Sequence, residues 1–301
     1  MKSHQLKALV QVAESGSIRA AARAMNLCQS ALTKALRELE EEVGVELLTR
    51  SYKGIEFTDA GQTLLTRSRL ALSILDKAQA EIALQRGGLG VQVSIAVTPL
   101  IGIQVLPKVL LEFERHQPEA RINLSEGLLT TLIPQLIDGR LDFAVALANP
   151  DDLPFEIAFE AIAPVASAVA GRRDHPLAGA RTWEELRGAK WVLNLSAGSQ
   201  GSSLIDWLRR QGLGEPPNTI RCDSPLLMLE LMQHTDRLSI GPAILFSDPL
   251  IGQGIQTIDV QPLPAPMTLG LISLRGIPLS RAARQLASMI ARHIRNSPPM
   301  A

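Results

Sequence analysis

The chain has 301 residues, of which 46% are hydrophobic and 20% are charged, so it is long enough for two or three compact domains with ordinary cores. Lysine plus arginine and aspartate plus glutamate both number 30, which excludes a strongly basic chain that binds nucleic acid over its whole length. The sequence has no run of about 18 apolar residues, and we therefore predict no membrane span.

Two helices are predicted at the start of the chain. Residues 1–15 carry Leu6, Leu9 and Val10 at helical spacing with polar residues between them, which is typical of an amphipathic helix rather than a signal peptide. Ser17 precedes an alanine-rich stretch, residues 18–25, which indicates a second helix with a serine N-cap. Residues 26–27 then make a tight connection to a third helix.

The third predicted helix, residues 29–43, has a buried face and a free face. Its leucines recur at positions that share one narrow side, which we expect to be buried. The free side offers hydroxyl, amide and cationic groups that can donate to DNA phosphates and base edges. Together with one arginine of the second helix, these candidate DNA contacts are Arg19, Gln29, Ser30, Thr33, Lys34 and Arg37.

Two helices joined by a short turn form a helix-turn-helix, whose second helix usually enters the major groove. The same pattern is also typical of ordinary helix packing, so a domain that only packs is the alternative. Because the chain carries no net charge, DNA binding requires separated charges. The glutamates of this region are expected to turn mostly away from the contact side, and they are Glu38, Glu40, Glu41, Glu42 and Glu46.

A β-hairpin is predicted directly after the third helix. Residues 47–50 and 55–58 are short runs of alternating apolar residues, and Gly54 lies in the turn between them. Such a wing places Arg50 and Lys53 near phosphates that flank the major groove, and we add both to the candidate DNA contacts.

A long helix is predicted at residues 59–85, with Thr58 as its N-cap. Its apolar residues follow spacings of three and four, and a helix of this length, about 40 Å, has no core of its own to lie on. We expect it to pack against a second copy of the chain, and packing on the C-terminal region is the alternative. The glycine cluster at residues 86–90 lacks the order of a phosphate-binding loop and is interpreted as a hinge.

The stretch of residues 16–61 resembles the N-terminal domain of the LysR-type transcriptional regulators. The matching positions are Ala21, Ala22, Leu27, Gln29, Ala31, Leu32, Leu39, Glu40, Gly44, Leu47, Arg50, Thr58 and Gly61. Within that family, the segments IRAAAR and TKALRELE are similar to a branch that includes regulators of aromatic-sulfonate breakdown and galactose-binding-protein regulators. The chain departs from the family's usual Ser-Gln-Pro at residues 28–30, where Cys28 and Ser30 predict a less stable helix start.

From residue 91 onward, strand and helix patterns alternate. Strands at 91–97, 121–126 and 141–147, with helices near 102–116 and 128–138, predict one parallel, doubly wound lobe. Strands at 164–170, 190–195, 219–223 and 237–241, with helices near 182–187, 201–212 and 225–234, predict a second. The last strand, 267–274, and the last helix, 279–296, are expected to return to the first lobe, with chain crossings near 161–164 and 263–267 as a hinge.

The predicted fold is therefore α/β with an all-α, winged head. It comprises a winged helix-turn-helix domain at residues 1–58, a linker and dimerisation helix with its hinge at 59–88, and an effector-binding domain at 89–301. The last is two-lobed, like periplasmic binding proteins, with lobe I at 89–162 plus 266–301 and lobe II at 163–265.

Ligands in such sheets bind where the carboxyl ends of strands meet the amino ends of helices. Hydroxyls and free N–H groups at these places suit a carboxylate, a sulfonate or a similar small anion. The candidate ligand contacts are Thr98, Leu100, Thr130, Thr131, Ser196, Ser199, Gln200 and Ser224. For any of the hydroxyl residues, a helix cap that touches no ligand is the alternative. Aromatic residues make up only 3% of the chain, which favours a pocket lined by aliphatic groups and hydroxyls.

The sequence offers little in favour of an enzyme. The turn at residues 197–201 lacks the GxSxG order, there is no HExxH or paired CxxC motif, and the five histidines lack metal-ligand spacing. We therefore predict no catalytic residues, no metal and no cofactor. Cys28 and Cys222 lie far apart, which argues against a disulfide and for a cytoplasmic protein. Cys28 is interpreted as an inert small residue, with a redox sensor as the alternative.

These observations together predict a transcriptional regulator that binds double-stranded DNA and responds to a small, anionic metabolite. The family resemblance implies a homodimer or homotetramer on an inverted repeat near a promoter, and contact with RNA polymerase. The alternative is a two-lobed small-molecule binding protein, or an enzyme, whose N-terminal helices are only a packing module.

Overall fold

The structure of the chain, a computed structural model, describes residues 1–51, 54–85, 92–196 and 198–296. The chain divides into two compact units. The first comprises Met1–Gln92 with Gln135–Leu141, and the second comprises Val93–Pro134 with Asp142–Ala301. Lys53 and the glycine cluster at 86–90, interpreted as a hinge, lie outside the described residues.

The first unit contains a helical head followed by a hairpin and a long helix. Its elements are α1 (Ser3–Ser15), α2 (Ile18–Ala24), α3 (Gln29–Val43), β1 (Leu48–Ser51), β2 (Gly54–Phe57) and α4 (Asp59–Gln85). Ser17 caps α2 as predicted, because its hydroxyl accepts a hydrogen bond of 3.2 Å from the N–H of Ala20. Strands β1 and β2 pair antiparallel, each one residue away from its predicted position.

Helix α4 contacts a turn from a distant part of the sequence. The Arg69 guanidinium lies 3.3 Å from the Asp138 carboxylate, and the Ser73 hydroxyl donates a 2.6 Å hydrogen bond to the carbonyl of Gly139. Gly139 has a φ of +72°, and a Cβ there would lie 3.0 Å from Ser73 Cβ. The turn therefore needs glycine both for its backbone conformation and for its approach to α4.

Lobe I of the second unit is built on a five-stranded sheet with the order β4-β3-β5-β12-β6. Its strands are β3 (Gln92–Val97), β4 (Arg121–Glu126), β5 (Phe143–Ala148), β6 (Ile157–Val165) and β12 (Met267–Leu274). The accompanying helices are α5 (Pro99–Gln104), α6 (Leu106–His116), α7 (Leu129–Ile137, whose end from Gln135 belongs to the first unit), a 3₁₀ turn (Pro150–Asp152) and α11 (Arg281–Asn296). Helix α11 packs against α6 and β6, so the last strand and helix belong to this lobe.

Lobe II contains a second five-stranded sheet with the order β11-β7-β10-β8-β9. Its strands are β7 (Ser167–Arg172), β8 (Lys190–Leu193), β9 (Asn218–Arg221), β10 (Arg237–Pro242) and β11 (Ile255–Ile258). Its helices are α8 (Gln200–Arg210), α9 (Pro225–His234) and α10 (Ala243–Phe246). The core on one side includes Trp183 and Trp191, whose stacked rings lie 6.2 Å apart.

The sheets are mixed, whereas the sequence pattern predicts parallel ones. Strand β12 runs antiparallel to β5 and β6, and β7 runs antiparallel to β10 and β11, while β3–β5, β8–β9 and β8–β10 are parallel. The two strands that run against their neighbours, β7 and β12, each follow a point where the chain passes from one lobe to the other. The alternation of strands and helices predicts a parallel sheet for each lobe, but a strand that returns from the other lobe can enter in the opposite direction.

Several predicted elements differ from the structure. Residues 182–187 form turns rather than a helix: the N–H groups of Leu186 and Arg187 bond carbonyls three residues earlier, and Gly188, with a φ of +86°, ends the segment. The helix expected near 102–116 is two helices that meet at Val105, since Pro107 lacks the N–H that would continue the ladder. The strand predicted at 164–170 is β6 followed by β7, and the sequence interpretation misses β11 and α10.

Candidate DNA-contact surface and ligand cleft

The core of the head fixes the orientation of α3. Leu32, Leu36 and Leu39 are buried, as the helical spacing predicts, and they pack with residues of α1, α2 and the hairpin. Ala21 and Ala22 of α2 are also buried in this cluster, where their small side chains allow close helix packing. Because one side of α3 is held in the core, the opposite side faces outward.

The outward side of α3 gathers five of the predicted DNA contacts. We call this surface the contact face, and its residues line one shallow depression: Gln29, Ser30, Thr33, Lys34 and Arg37. All five are exposed, as is Arg19 on α2. The Thr33 hydroxyl donates a 2.9 Å hydrogen bond to the backbone oxygen of Gln29, one turn earlier. The contact face therefore presents two cations beside hydroxyl and amide groups.

Two glutamates lie nearer to the contact face than the sequence interpretation expects. Lys34 Nζ is 3.8 Å from the Glu38 carboxylate, and Arg37 Nε is 3.6 Å from that of Glu41. These pairs follow from the spacing of four residues, which places side chains on the same side of a helix. All four side chains are well exposed, so the pairs contribute little to stability and can be exchanged for other anions.

The start of α3 has an exposed cysteine at its N-cap position. Cys28 occupies the N-cap position and its side chain makes no capping hydrogen bond, which agrees with its weakness as a cap. Its Sγ lies 3.2 Å from the Ser30 hydroxyl, and this contact, followed by the N–H of Ala31, lowers the pKa of the Cys28 thiol. The exposed thiol therefore has more thiolate character than an ordinary cysteine.

The wing is tied to the end of α3 by one carboxylate. Glu40 Oε1 accepts hydrogen bonds from the N–H groups of Leu47 and Leu48, at 2.9 and 3.2 Å. Of the two predicted contacts on the wing, Arg50 lies in β1 opposite Ile55, and Lys53 lies outside the described residues. The backbone of the hairpin is therefore positioned by a residue that faces away from the contact face.

A cleft of about 150 Å³ lies between the two lobes of the second unit. Five of the predicted ligand contacts line it: Thr98, Leu100, Ser196, Ser199 and Gln200. The structure does not bring the other three into its lining. Thr130 and Thr131 are exposed near the start of α7, and Ser224 caps α9 through a 3.4 Å hydrogen bond from the N–H of Leu227.

The amino end of α8 enters the cleft from lobe II. Ser199 is its N-cap, accepting a 3.1 Å hydrogen bond from the N–H of Ser202 and donating a 2.6 Å hydrogen bond to the carbonyl of Asn194. A Cβ on Gly201 would lie 2.2 Å from that same carbonyl oxygen, so only glycine permits the close approach of helix and strand end. The Gln200 amide donates to the Ser167 hydroxyl at 2.9 Å.

The sequence of this chain matches two family descriptions. "Bacterial regulatory helix-turn-helix protein, lysR family" matches residues 3–62, and "LysR substrate binding domain" matches residues 86–295. The chain belongs to the LysR family. The HTH-type transcriptional regulator TdcA of Escherichia coli (strain K12) is a relative with 30% identity over 250 residues, which cover 82% of this chain and 78% of TdcA.

Solved LysR-family structures share the fold of the chain. The crystal structure of CbnR, a LysR family transcriptional regulator, has a TM-score of 0.67 and 22% identity, covering 97% of this chain and 99% of that chain. Full-length CbnR in complex with its target DNA has a TM-score of 0.65 and 23% identity, covering 98% of this chain and 99% of that chain. These structures confirm the predicted fold class. The two family matches confirm the family resemblance, and the chain is a LysR-type DNA-binding transcriptional regulator.

The cleft of this LysR-family chain has a lining that sequence reasoning largely misses. Most of its other residues are apolar, and they include Leu128, Leu129, Leu147, Met228, Leu229, Met232, Leu245, Phe246, Ile251 and Met267. None of the described residues that line the cleft is ionisable. Asn194 and Ser239 are the polar residues that the interpretation omits, although both lie on or just after buried strands, where a polar side chain is itself a signal.

The part of the chain that the structure describes contains neither a membrane-spanning helix nor a metal site. None of its helices combines the length and hydrophobicity needed to cross a membrane. Its histidine, cysteine, aspartate and glutamate side chains form no group that could hold a metal ion.

Proposed function

We propose that this LysR-family regulator recognises an inverted repeat at a promoter through the contact face of α3. The supporting observation is that all five residues of the contact face are exposed while the leucines on the other side of the same helix are buried. Lys34 and Arg37 would exchange Glu38 and Glu41 for phosphates or base edges. Arg19, Arg50 and Lys53 would bind flanking phosphates, which sets the register of the head on DNA.

The proposed assembly is a homodimer or homotetramer in which α4 pairs with its copy. Leu75 and Ile82 lie seven residues apart on α4 and are 51% and 53% exposed. That spacing puts both side chains on one stripe, as in a coiled coil, so a second α4 would cover them. Two heads held by a symmetric dimer would match the two halves of an inverted repeat.

The assembly can be tested by sedimentation of the full chain. Leu75→Glu should shift the protein towards smaller species, because it places a charge in the covered stripe. Leu250→Glu is the control, since Leu250 is a leucine outside α4 that is even more exposed, 76% against 51% for Leu75. A Leu75→Glu protein with the parent's sedimentation would contradict pairing through this stripe.

The proposed effector is a small anionic metabolite bound in the cleft. Supporting features are the amino ends of α5 and α8, with the hydroxyls of Thr98, Ser196 and Ser199 in the lining. Helix amino ends present N–H groups and a partial positive charge to an anion. A ligand that binds one arrangement of the chain more tightly shifts the equilibrium towards it, and DNA binding changes accordingly.

The further parts of the proposal follow from the family resemblance. They are a DNA-binding domain at residues 1–58, a linker and dimerisation helix with its hinge at 59–88, an effector domain at 89–301, contact with RNA polymerase, and a cytoplasmic location. The experiment for the whole is selection of genomic fragments by the purified full chain at about 150 mM salt. We expect enrichment of a site with two-fold symmetry, and loss of that enrichment with Arg37→Ala. A parent protein that enriches no site would contradict the proposal.

A further inference from the structure

The cleft continues into an apolar chamber within lobe II. The chamber is lined by side chains of α9, α10 and the loop after α10: Met228, Leu229, Met232, Leu245, Phe246 and Ile251. Met232 and Phe246 belong to a buried cluster that packs on β7 and β8 through Ala170 and Val192. The chamber therefore lies between two helices and the sheet, and it offers carbon surface where a small polar anion would need hydrogen-bond donors.

Two buried hydroxyls line the cleft without a hydrogen-bond partner. Thr98 Oγ1, on a residue that is 6% exposed, lies where β3 meets α5, and Ser239 Oγ, on a residue that is 1% exposed, lies on β10. Ser239 pairs directly with Ala170 of β7, so its side chain lies on the sheet face that α9 and α10 cover. Buried hydroxyls normally have partners, and a ligand that supplies partners to these two would be favoured.

The size of the cleft limits the ligand. Its volume is about 150 Å³. A cavity of about that volume lined by leucine, isoleucine and phenylalanine in another protein binds benzene, a compound of six carbon atoms. Because methionine side chains adapt their shape, Met228 and Met232 can follow a flexible chain as well as a rigid group.

We propose that the effector is an aliphatic acid of about six carbon atoms, whose chain lies beneath α9 and carries an oxygen that hydrogen-bonds Ser239. The carboxylate would lie at Thr98 and the amino end of α8. This inference rests on the proposed function for its anionic head group, and it adds an apolar body and a second polar atom. Ser239 would thereby select ligands that carry a polar atom at the end opposite the carboxylate.

The proposed length of the ligand is tested by calorimetric titration of the full-length protein with acetate, butanoate and hexanoate. Affinity should rise about fourfold for each added methylene, because each one removes a similar apolar area from water. Equal affinities along the series would overturn the inference. Titration with 1-hexanol separates the proposal of an anionic head group from that of an apolar body. If 1-hexanol binds as tightly as hexanoate, the anionic head group is contradicted and the apolar body is not.

Variants of α9 test where the carbon chain of the ligand lies in the protein. Met228→Gln places an amide in the chamber and should weaken hexanoate binding about tenfold or more. Leu227→Gln is the matched control on the same helix, since Leu227 is 57% exposed and does not line the cleft. Equal binding by both variants would overturn the placement beneath α9. Met228 is only half-buried, so Met228→Gln is expected to fold.

Ser239→Ala tests the second polar atom. With 6-hydroxyhexanoate the variant should bind several-fold more weakly than the parent, whereas hexanoate should bind as tightly as before or more tightly. Such a difference between two ligands of equal chain length cannot come from a general loss of folding. An identical effect on both ligands, or none on either, would overturn the role of Ser239.

Discussion

Thr98→Val should make the protein more stable and, at the same time, less able to bind its effector. Thr98 is the N-cap residue of α5, yet its hydroxyl makes no capping hydrogen bond and has no other partner. The first hydrogen bonds of the helix are instead made by the backbone oxygen of Thr98, which accepts the N–H groups of Ile101 and Gly102 at 3.0 Å. Valine keeps the shape of the side chain and that backbone oxygen, and it removes only the unpaired hydroxyl.

The magnitude follows from the cost of a buried, unpaired hydroxyl, which is about 1–3 kcal/mol. Part of this is recovered in the variant, so an increase of about 1 kcal/mol in the free energy of unfolding is expected, or about 2–4 °C in Tm for a domain of this size. A ligand that bonds the Thr98 hydroxyl would lose about 0.5–1.5 kcal/mol, which weakens binding about two- to twelvefold.

Thermal unfolding and calorimetric titration with hexanoate measure both effects on the same protein. Thr131→Val is the matched control, because Thr131 is exposed, donates to the Leu128 carbonyl at 2.9 Å, and is absent from the cleft lining. It should leave hexanoate affinity unchanged. A Thr98→Val protein that is less stable than the parent, or that binds hexanoate equally well, would refute the reasoning.

Two further predictions concern the helix ends of the two sites. Gly201→Ala should lower Tm by roughly 2–12 °C and reduce the effector response, because the added Cβ would lie 2.2 Å from a backbone oxygen. Gly179→Ala, where no atom lies within 4 Å of the added Cβ, should behave as the parent, and equal Tm values for both variants would argue against the clash. In a Cys222→Ser background, Cys28 should react with a disulfide reagent at pH 7 faster than an ordinary thiol, because its lowered pKa raises the thiolate fraction. Ser30→Ala should slow that reaction, and an unchanged rate would show that the Ser30 hydroxyl does not stabilise the thiolate.

The head of the protein was predictable because its local signals agree with one another. The spacing of Leu32, Leu36 and Leu39 defines the buried side of α3, and the same spacing leaves Lys34 and Arg37 exposed. The sequence interpretation overlooked that each cation also pairs with a glutamate four residues later. That pairing follows from helix geometry alone and could have been predicted from the same spacing.

The cleft was less predictable because three separate segments build its apolar side. Helix α9, PLLMLELMQH, is apolar on nearly every side, so periodicity does not distinguish Met228 in the cleft from Leu227 on the surface. The rule that ligands bind at helix starts selected Ser199 correctly for the lining but also selected Thr130, since a sequence does not show which way a helix start faces. Ser239 looked like an ordinary residue of an alternating strand.

The differences in the fold have a similar origin. Thr182 and Glu185 form the capping box of a helix start, but Gly188, with a φ of +86°, ends the segment before regular helix hydrogen bonds form. The predicted strand at 164–170 joins the end of β6 to most of β7, because the apolar run continues across the point where the chain passes to lobe II. Strand direction within a sheet depends on such passages, which a local pattern does not contain.

The most direct test of the central claim is the ratio of affinities for a selected site and for a scrambled site of the same length, at about 150 mM salt. For the parent we expect a ratio of about 10³ or more, as sequence-specific regulators show. Arg37→Ala should lower that ratio by about tenfold or more, because a contact to a base edge is lost in each head. Lys7→Ala, which removes an exposed cation of α1 outside the contact face, should leave it unchanged. A parent ratio near one, or a ratio unaffected by Arg37→Ala, would contradict recognition of DNA by the contact face.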